Sequence, residues 1–407
     1  MDRVILHCDC NSFFASVEAA LNPAYRGVPM AVCGSQSDRH GIVLAKNEEA
    51  KKYNVQTAET VYSAKKKCPS LVIAEPHYNA YAEFSRRVNA IYARYTDMIE
   101  PFGIDESWLD VTASQKIFGS GEQIAERIRQ EVKREIGITV SIGVSFNKVF
   151  AKLGSDYKKP DAITVINREN FKSIVFPLPV STLLFVGKQT ATALTAMGIK
   201  TIGDLASTAR ELLSIKFGKA GENLYAYANG LDDSPVDSGN EKQKSISNGF
   251  TFRRNLVSMA ECKVGIEYLT EEIGRKLRRS GQVTGTVSLS IKDEYLKVIQ
   301  KQRPLSPKSD VSREIADIAY AILTEIWKEG KPVRSLTVSV SNLSPALEES
   351  TQLSMFETKE AVKHTINEKK ENAVDIIRQK YGDESIVNGA IINTDIGIFR
   401  KSNKKEK

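Results

Sequence analysis

Three acidic residues stand where the sequence allows metal-dependent chemistry. Asp9 follows the apolar run Val4–Cys8 and precedes a helical pattern, while Asp105 and Glu106 are adjacent within an apolar stretch. Ligands of α/β sheets bind at strand ends, so Asp9 is a candidate metal ligand or, alternatively, an ordinary acid at a helix N-terminus. Two adjacent carboxylates are costly to bury without cations, although a solvated hairpin turn would also explain them. Together the three acids offer the hard oxygen ligands that a pair of Mg²⁺ ions needs for in-line phosphoryl transfer.

Other catalytic chemistries have less support in the chain. The four His residues, at positions 7, 40, 77 and 364, show no metal-ligand spacing, and neither a G-x-S-x-G nor a GxxxxGK[ST] motif occurs. The five Cys residues form no C-x-x-C pair, and their odd number indicates free thiols in a reducing compartment rather than a disulfide framework or a zinc module. Phosphoryl transfer supported by carboxylates is therefore the chemistry that the residues favour.

Strands and helices must alternate to position these acids, and up to residue 165 the pattern is that of an α/β domain. The predicted strands are Val4–Cys8, Trp108–Val111 and Thr139–Val144, and the main predicted helices are one beginning at Phe13, Tyr78–Tyr95, Glu122–Glu135 and Asn147–Lys158. From 167 to 231 short helices alternate with glycine turns, and 232–240 has a linker composition. An α+β segment follows up to 345, and then a charged helix over 361–381.

Length and charge set further bounds. With 407 residues the chain has room for two to four domains, and its net charge is +7. Most of that charge lies between residues 241 and 345, which hold 18 Lys and Arg against 12 Asp and Glu. A basic segment of this kind indicates either a nucleic-acid partner or merely a solvated basic surface. No apolar run is long enough to cross a bilayer and no signal-peptide pattern begins the chain, so we expect a cytoplasmic protein without a membrane partner.

Three segments form an ordered set of motifs. They are Asp9–Glu18 (DCNSFFASVE), Ile104–Asp110 (IDESWLD) and Ser141–Lys152 (SIGVSFNKVFAK). In type, order and separation they resemble the motifs of the Y family of translesion DNA polymerases, most closely the bacterial DinB group. The resemblance extends over about residues 1–345 and is specific, because three motifs must match together.

The resemblance implies a multidomain α+β fold, a right-hand polymerase with an α/β palm, small fingers, a helical thumb of helix-hairpin-helix type and a separate α+β little finger. On this sequence the palm is expected over 1–18 and 76–165, the fingers over 19–75 and the thumb over 166–232. A linker over 233–244, the little finger over 245–345 and a tail over 346–407 complete the chain. The basic segment thus becomes the little finger, a DNA-binding domain.

The resemblance also implies which residues hold metal and nucleotide. Two Mg²⁺ ions are expected on Asp9, the Cys10 main-chain carbonyl, Asp105 and Glu106, the three acids being the catalytic residues.

The nucleotide-binding residues are expected to be Phe13, Phe14, Lys51 and Lys159. Phe14 matches the steric gate, an aromatic ring that excludes a 2′-OH, and Lys159 matches a lysine that contacts the triphosphate. Taken alone, Phe14 would be a core aromatic of an amphipathic helix and Lys159 a helix-end cation.

Three departures from the family pattern bear on this site. Where relatives often carry Y-E-A-R, this chain has Glu48–Lys51 (EEAK), so Lys51 supplies a charge without a bidentate fork and Glu48 would repel phosphates that it faced. Asn11 and Ser12 replace bulkier residues and predict a roomier pocket floor. In the thumb, Phe185–Lys188 (FVGK) keeps one glycine of the usual G-V-G-K hairpin, so we expect Phe185 to avoid a positive φ.

Further residues are implied to bind partners. The expected DNA-binding residues are Gly187, Lys188, Lys244, Ser245, Arg253 and Arg254. The peptide at 352–356 (QLSMF) resembles the motif that bacterial polymerases insert into the sliding clamp, with Gln352, Leu353, Met355 and Phe356 as its anchors.

The resulting hypothesis is a DNA-directed DNA polymerase that adds dNTPs to a primer 3′-OH by two-metal phosphoryl transfer. It would copy damaged templates at low fidelity, without proofreading, as a monomer on primer–template DNA. The alternatives are a clamp-tethered DNA-binding scaffold with weak or lost polymerase activity, and a two-metal nuclease, which would shorten its substrate.

Overall fold

A computed structural model describes residues 2–34, 41–237, 239, 243–346, 359–383, 385–392 and 394–398. Residues 2–34 and 42–237 form one compact unit, and the residues from 243 onward form another. None of the helices within these ranges is long and apolar enough to cross a membrane. The α+β multidomain class expected from the sequence is confirmed.

The first unit alternates strands and helices through most of its length. In chain order it contains β1 (Ile5–Cys10), α1 (Phe13–Leu21), β2 (Met30–Cys33), β3 (Val43–Lys46), α2 (Glu48–Lys51), α3 (Val61–Lys67), β4 (Val72–Ala74), α4 (Tyr78–Tyr92), β5 (Ile99–Pro101), β6 (Glu106–Asp110), α5 (Gln115–Phe118), α6 (Gly121–Glu135), β7 (Val140–Ser145), α7 (Lys148–Tyr157), β8 (Ile163–Ile166), α8 (Phe171–Val175), α9 (Lys188–Ala196), α10 (Ile202–Ser207), α11 (Arg210–Phe217) and α12 (Lys219–Ala228). Short 3₁₀ turns lie at Pro23–Tyr25 and Val180–Thr182.

A five-stranded sheet in the order β5-β6-β1-β7-β8 forms the centre of this unit. β1 pairs antiparallel with both β6 and β7, and every residue of β1 is buried because helices cover both faces of the sheet. Leu6, Cys8 and Cys10 pack in the core formed with α4 and α6. The alternating residues of β1 therefore point to the opposite face, which α7 covers.

Helix α7 lies unusually close to the sheet because of one glycine. A Cβ placed on Gly143 of β7 would come 1.9 Å from the carbonyl oxygen of Ala151, so only glycine allows this approach. Asn147 caps the helix by accepting a hydrogen bond from the N–H of Phe150 at 2.7 Å. The close packing brings Lys152, one residue beyond Ala151, over the end of β1.

Smaller layers flank the central sheet. The strands β3, β2 and β4 form a three-stranded sheet against which α2 and α3 pack. Residues from 171 to 228 form the short helices α8 to α12 around an apolar core that includes Leu194, Leu213 and Leu224. The glycine turns in this stretch of the sequence predict that pattern of short helices.

The second unit is a sheet covered by helices. It contains β9 (Ser245–Leu256), α13 (Met259–Arg279), β10 (Gln282–Lys292), β11 (Val298–Ser309), α14 (Ser312–Ile326), β12 (Val333–Pro345), α15 (Lys359–Tyr381) and α16 (Gly389–Ile392). The strands form an antiparallel sheet in the order β11-β10-β12-β9, and α13 and α14 pack on it around Phe252, Ile273 and Leu336.

The C-terminal segment 359–398 folds back onto this second unit. Ile391, Ile396 and Ile398 are buried in its apolar core, and the N–H of Arg253 in β9 donates to the carbonyl oxygen of Ile396 at 3.0 Å. The segment is thus part of the folded unit. The sequence predicts helix α15 but assigns it no role, because the partners that bury its charges lie about a hundred residues earlier.

Arg278 of α13 is the main polar anchor of α15. Its side chain is only 10% exposed and forms ion pairs with Glu371 and, at 2.6 Å, with Asp375. We expect Arg278→Ala to lower the free energy of unfolding of this unit by about 3 kcal/mol, because it leaves two carboxylates partly buried without their cation. Denaturant unfolding followed through the buried Trp327 measures the loss.

The neighbouring Arg279 provides the control for this prediction. Its side chain is 63% exposed and lies 3.9 Å from Asp383, so Arg279→Ala should change the unfolding free energy by less than about 0.5 kcal/mol. Equal losses in the two variants would show that the buried pairs of Arg278 do not hold the C-terminal segment in place.

Candidate active site

Strand pairing brings the predicted acids to one end of the central sheet. In the antiparallel pair of β1 and β6, Asp9 lies opposite Glu106, and the N–H of Cys10 donates to the carbonyl oxygen of Asp105 at 3.0 Å. The Cys10 thiol is buried in the core on the other face, where burial raises its pKa, so only its main chain is available to the site. The sequence motifs and the topology therefore agree on where the acids meet.

Two lysines neutralise this acidic cluster. The Lys152 ammonium lies 3.2 Å from Oδ2 of Asp9 and 2.8 Å from Oε2 of Glu106, and the Lys159 ammonium lies 2.6 Å from Oδ2 of Asp9. Asp156 accepts from Lys159 at 2.7 Å. Lys152 belongs to the third motif, but the sequence assigns it no role. Its position on α7 lets its ammonium group contact both Asp9 of β1 and Glu106 of β6.

Burial and neighbouring charges shift the pKa values of the three acids in different directions. Burial raises the pKa of Asp9, against the opposing effect of Lys159 and Lys152. Burial, followed by the charges of Asp9 and Glu106, raises the pKa of Asp105 to about 6. Burial also acts to raise the pKa of Glu106, but the close approach of His7 and Lys152 to its carboxylate outweighs burial and lowers the pKa to about 2.

The cluster fits divalent cations by the chemistry of its donors. Three carboxylates and a main-chain carbonyl are the oxygen ligands that Mg²⁺ prefers, and burial together with the charges of Asp9 and Glu106 raises the pKa of Asp105, an effect that a bound cation would oppose. Over the described ranges no three His, Cys, Asp or Glu side chains already converge as a metal site. Lysine ammonium groups lie against one carboxylate oxygen of Asp9 and one of Glu106, where they neutralise part of the negative charge.

An aromatic stack is formed by residues of α1 and α4. Phe13 is buried, whereas the ring of Phe14 is partly exposed and lies 4.1 Å from the ring of Tyr81 with an interplanar angle of 11°. The Tyr81 hydroxyl donates to the buried carboxylate of Glu18, which also contacts Nδ1 of His77 at 3.0 Å. Tyr81 and Glu18 were not among the predicted site residues, yet they fix the orientation of Phe14.

The substituted residues of α2 form their own ion pair. Lys51 lies 2.5 Å from Oε1 of Glu48, and the hydroxyl of Ser12 donates to the same oxygen at 3.1 Å. Ser12 adopts the left-handed conformation with φ 48° just before α1. Glu48 is therefore bound both to the predicted phosphate-binding lysine and to the loop that follows the Asp9 strand.

In the segment predicted as the thumb hairpin, the structure corrects one expectation. Gly187 caps α9 with an ordinary extended conformation, and Lys188 is exposed at the first turn of that helix. The expectation that Phe185 avoids a positive φ is wrong, because its φ is 69°. Phe185 thus adopts a conformation that glycine would adopt more readily, with its ring 64% exposed and 5.9 Å from the ring of Tyr227.

The other predicted DNA-binding residues lie in the second unit along β9. Ser245 begins this strand and Lys244 precedes it, whereas Arg253 and Arg254 lie about 30 Å further along. Arg254 is engaged by Asp395 at 2.7 Å and by Glu261 at 2.5 Å. Lys244 and Ser245 therefore lie far along the chain of β9 from Arg253 and Arg254, and the four residues do not form one patch. The predicted clamp-binding peptide 352–356 lies outside the described residues.

Family models match most of the chain. The impB/mucB/samB family matches residues 8–156, its C-terminal domain matches residues 243–355, and a model described as the thumb domain of DNA polymerase-iota matches residues 184–232. The first match contains all three acids, and the segment 359–398 lies beyond the last one.

Whole proteins are similar over nearly the full length. The chain is 46% identical to a DNA polymerase IV of Acetivibrio thermocellus over 98% of this chain and 100% of that protein. It is 34% identical to a DNA polymerase IV 2 of Bacillus subtilis over 99% of this chain and 98% of that protein. A solved Y-family DNA polymerase chimera superposes with a TM-score of 0.74 at 27% identity, covering 83% of this chain and 98% of the chimera.

Proposed function

The chain belongs to the impB/mucB/samB family of Y-family DNA polymerases, and from this membership we propose that it copies DNA past damaged template bases at low fidelity, without proofreading. It is a DNA-directed DNA polymerase whose substrates are a primer–template and dNTPs. We expect it to act as a monomer. The observation that carries the proposal is the pairing of Asp9 with Glu106 beside Asp105 at one end of the central sheet.

Divalent metal ions are the cofactors typical of this family, and the proposed holders of two Mg²⁺ ions are Asp9, the Cys10 carbonyl, Asp105 and Glu106. Bound there, the two ions would lower the pKa of the primer 3′-OH and neutralise the triphosphate and the departing pyrophosphate. Asp9 and Glu106 already contact cations in the form of the Lys159 and Lys152 ammonium groups, which supports their proposed role as cation ligands.

The lysines are proposed to bind the triphosphate. Lys159 is 30% exposed and exchanges its contact with Asp9 for a phosphate oxygen of the incoming dNTP, while Lys152 stays between the two acidic strands. Phe14, backed by Tyr81, limits the space beside the sugar. These residues bind, orient and select the nucleotide, whereas the carboxylates serve the transfer step.

The domain assignment remains a proposal of the same kind. We propose that residues 1–18 and 76–165 act as palm, 19–75 as fingers, 166–232 as thumb and 245–345 as little finger, joined by a linker at 233–244. DNA phosphates would bind at Gly187 and Lys188 in the thumb, at Lys244 and Ser245, and at Arg253 and Arg254, where Asp395 competes for Arg254.

A sliding clamp is the proposed protein partner. The peptide 352–356 combines a hydrogen-bonding Gln352 with the apolar anchors Leu353, Met355 and Phe356, which suits an apolar pocket. Its position at the end of the matched C-terminal domain, which extends to residue 355, supports this assignment.

Primer extension on damaged and undamaged templates tests the proposal. The full chain with Mg²⁺ and four dNTPs should lengthen a labelled primer past a lesion, and leave a mismatched 3′ end uncut. Shortening of the primer would instead support a nuclease. Binding of primer–template without nucleotide addition would support a DNA-binding scaffold, for which the Glu48–Lys51 pair is the favouring observation.

The Glu48–Lys51 pair leads to a kinetic prediction. Because Glu48 competes with phosphate for Lys51 and is itself negative, we expect Glu48→Gln to lower the KM for dNTP two- to fivefold, about the worth of an exposed ion pair, with kcat unchanged. Steady-state single-nucleotide addition measures both constants. The adjacent Glu49→Gln is the control and should change neither. A higher KM in Glu48→Gln would mean that Glu48 holds Lys51 in its binding position.

A further inference from the structure

Asn11 is a buried polar hub directly after the Asp9 strand. Its amide nitrogen donates to the hydroxyl of Ser141 at 2.8 Å, and its amide oxygen accepts from the hydroxyl of Thr139 at 3.0 Å and from the main-chain N–H of Asp161 at 2.8 Å. The side chain is 5% exposed, so each of these bonds is costly to leave unmade. Asn11 thus joins the end of β1 to β7 and to the turn after α7.

The bond to Asp161 fixes one side of that turn. Asp161 follows Lys159 by two residues and has a φ of 52°, in the left-handed region. On the other side its carboxylate accepts from Arg129 at 2.7 Å and from Lys133 at 2.8 Å, both on α6. The segment that carries Lys159 is therefore held from β1 through Asn11 and from α6 through Arg129 and Lys133.

The place of this turn decides where the Lys159 ammonium lies. A lysine side chain is long and flexible, so its charge is directed only as well as its backbone is held. Here the ammonium lies within 2.7 Å of oxygens of both Asp9 and Asp156. Any slackening of the turn would spread the ammonium over a larger volume and weaken its contact with a bound anion.

We propose that Asn11 is a positioning residue for the incoming nucleotide: by holding the turn that contains Asp161, it fixes the Lys159 ammonium where it meets the dNTP triphosphate. This inference rests on the proposed phosphate-binding role of Lys159. It gives Asn11 a task other than lining the pocket floor, because both its amide nitrogen and its amide oxygen bond to protein groups.

Single-nucleotide addition by the full chain on primer–template DNA tests the proposal. We expect Asn11→Ala to raise the KM for dNTP about tenfold, as the loss of a buried hydrogen bond would, with kcat changed less than about threefold. Ser141→Ala removes the partner of the Asn11 amide nitrogen but leaves the bond from the N–H of Asp161, and should keep the KM near the wild-type value. Arg129→Ala loosens the same turn from α6, and should raise the KM even if Asn11→Ala fails to fold.

A double-mutant cycle separates positioning from general destabilisation. If Asn11 acts through Lys159, the variant with both Asn11→Ala and Lys159→Ala should have the KM of Lys159→Ala alone. Multiplicative effects of the two changes would overturn the proposal. If Lys159→Ala leaves the KM unchanged, the triphosphate role of Lys159 falls and the proposal with it; if Lys159→Ala raises the KM and Asn11→Ala and Arg129→Ala do not, only the role of Asn11 falls.

Discussion

Replacing Asp105 and Glu106 together by Ala is expected to lower the rate of primer extension by a thousandfold or more. The change removes two of the three carboxylates at the end of the central sheet, and with them the oxygen ligands for the proposed Mg²⁺ ions. Loss of a preorganised charge at a reacting centre alone costs on the order of a hundred- to a thousandfold in rate, and loss of a metal adds to that. Gel-based primer extension over a range of Mg²⁺ concentrations measures the effect.

Isosteric variants identify charge as the cause. Asp105→Asn with Glu106→Gln keeps the volume and the main-chain pairing of β6 with β1 but removes the charge, and the same loss of rate is expected. Binding of primer–template, followed by fluorescence anisotropy, should stay within a few-fold of wild type in both double variants. Full activity in either one would refute the assignment of these carboxylates.

Phe14→Ala is expected to let ribonucleotides into the site. The ring of Phe14 lies nearly parallel to Tyr81, whose hydroxyl is bonded to the buried Glu18, so the ring is backed by a rigid stack and cannot yield to a 2′-OH. We expect the ratio of kcat/KM for ribonucleotides to that for deoxyribonucleotides to rise on the order of a hundredfold, the upper range for a steric pocket. Parallel single-nucleotide additions with dNTP and rNTP measure it.

A conservative variant provides the comparison for this prediction. Phe14→Tyr keeps a ring stacked on Tyr81 and should keep most of the sugar discrimination. Unchanged discrimination in Phe14→Ala would show that another group excludes the 2′-OH, and Phe14 would then be only a partly buried aromatic at the edge of the core.

The sequence predicts those elements whose local pattern is strong. Helix α6, predicted over Glu122–Glu135, spans Gly121–Glu135 because a capping box of Ser120 and Gln123 defines its start and its apolar residues recur at helical spacing. The short strands β2 to β5 were not predicted, since three or four residues give too little alternation to identify a strand. The burial of Ile391, Ile396 and Ile398 is not predicted either, because the apolar core that covers them is formed by residues that are distant in the sequence.

The candidate site likewise contains residues that the sequence predicts and contacts that it does not predict. The motifs predict Asp9 and Glu106 as site residues, and the antiparallel pairing of β1 with β6 places these two residues, about a hundred positions apart in the sequence, opposite each other. The spacing of Tyr81 with Phe84 and Val88 predicts a buried helix face, but it does not predict the contact of Tyr81 with Phe14. The pair between Glu48 and Lys51 was also missed: the sequence suggests repulsion of phosphate by Glu48, whereas a bonded carboxylate first competes for the lysine.

Residues 359–398 fold into the second unit, and this limits how the peptide 352–356 can be tested. The strand β12 ends at Pro345 and α15 begins at Lys359, so folded residues of the second unit lie on both sides of the peptide in the sequence. Truncating the chain just after the peptide would remove Ile391, Ile396 and Ile398 from an apolar core, so a loss of clamp binding in such a variant would not distinguish the missing peptide contacts from a damaged fold.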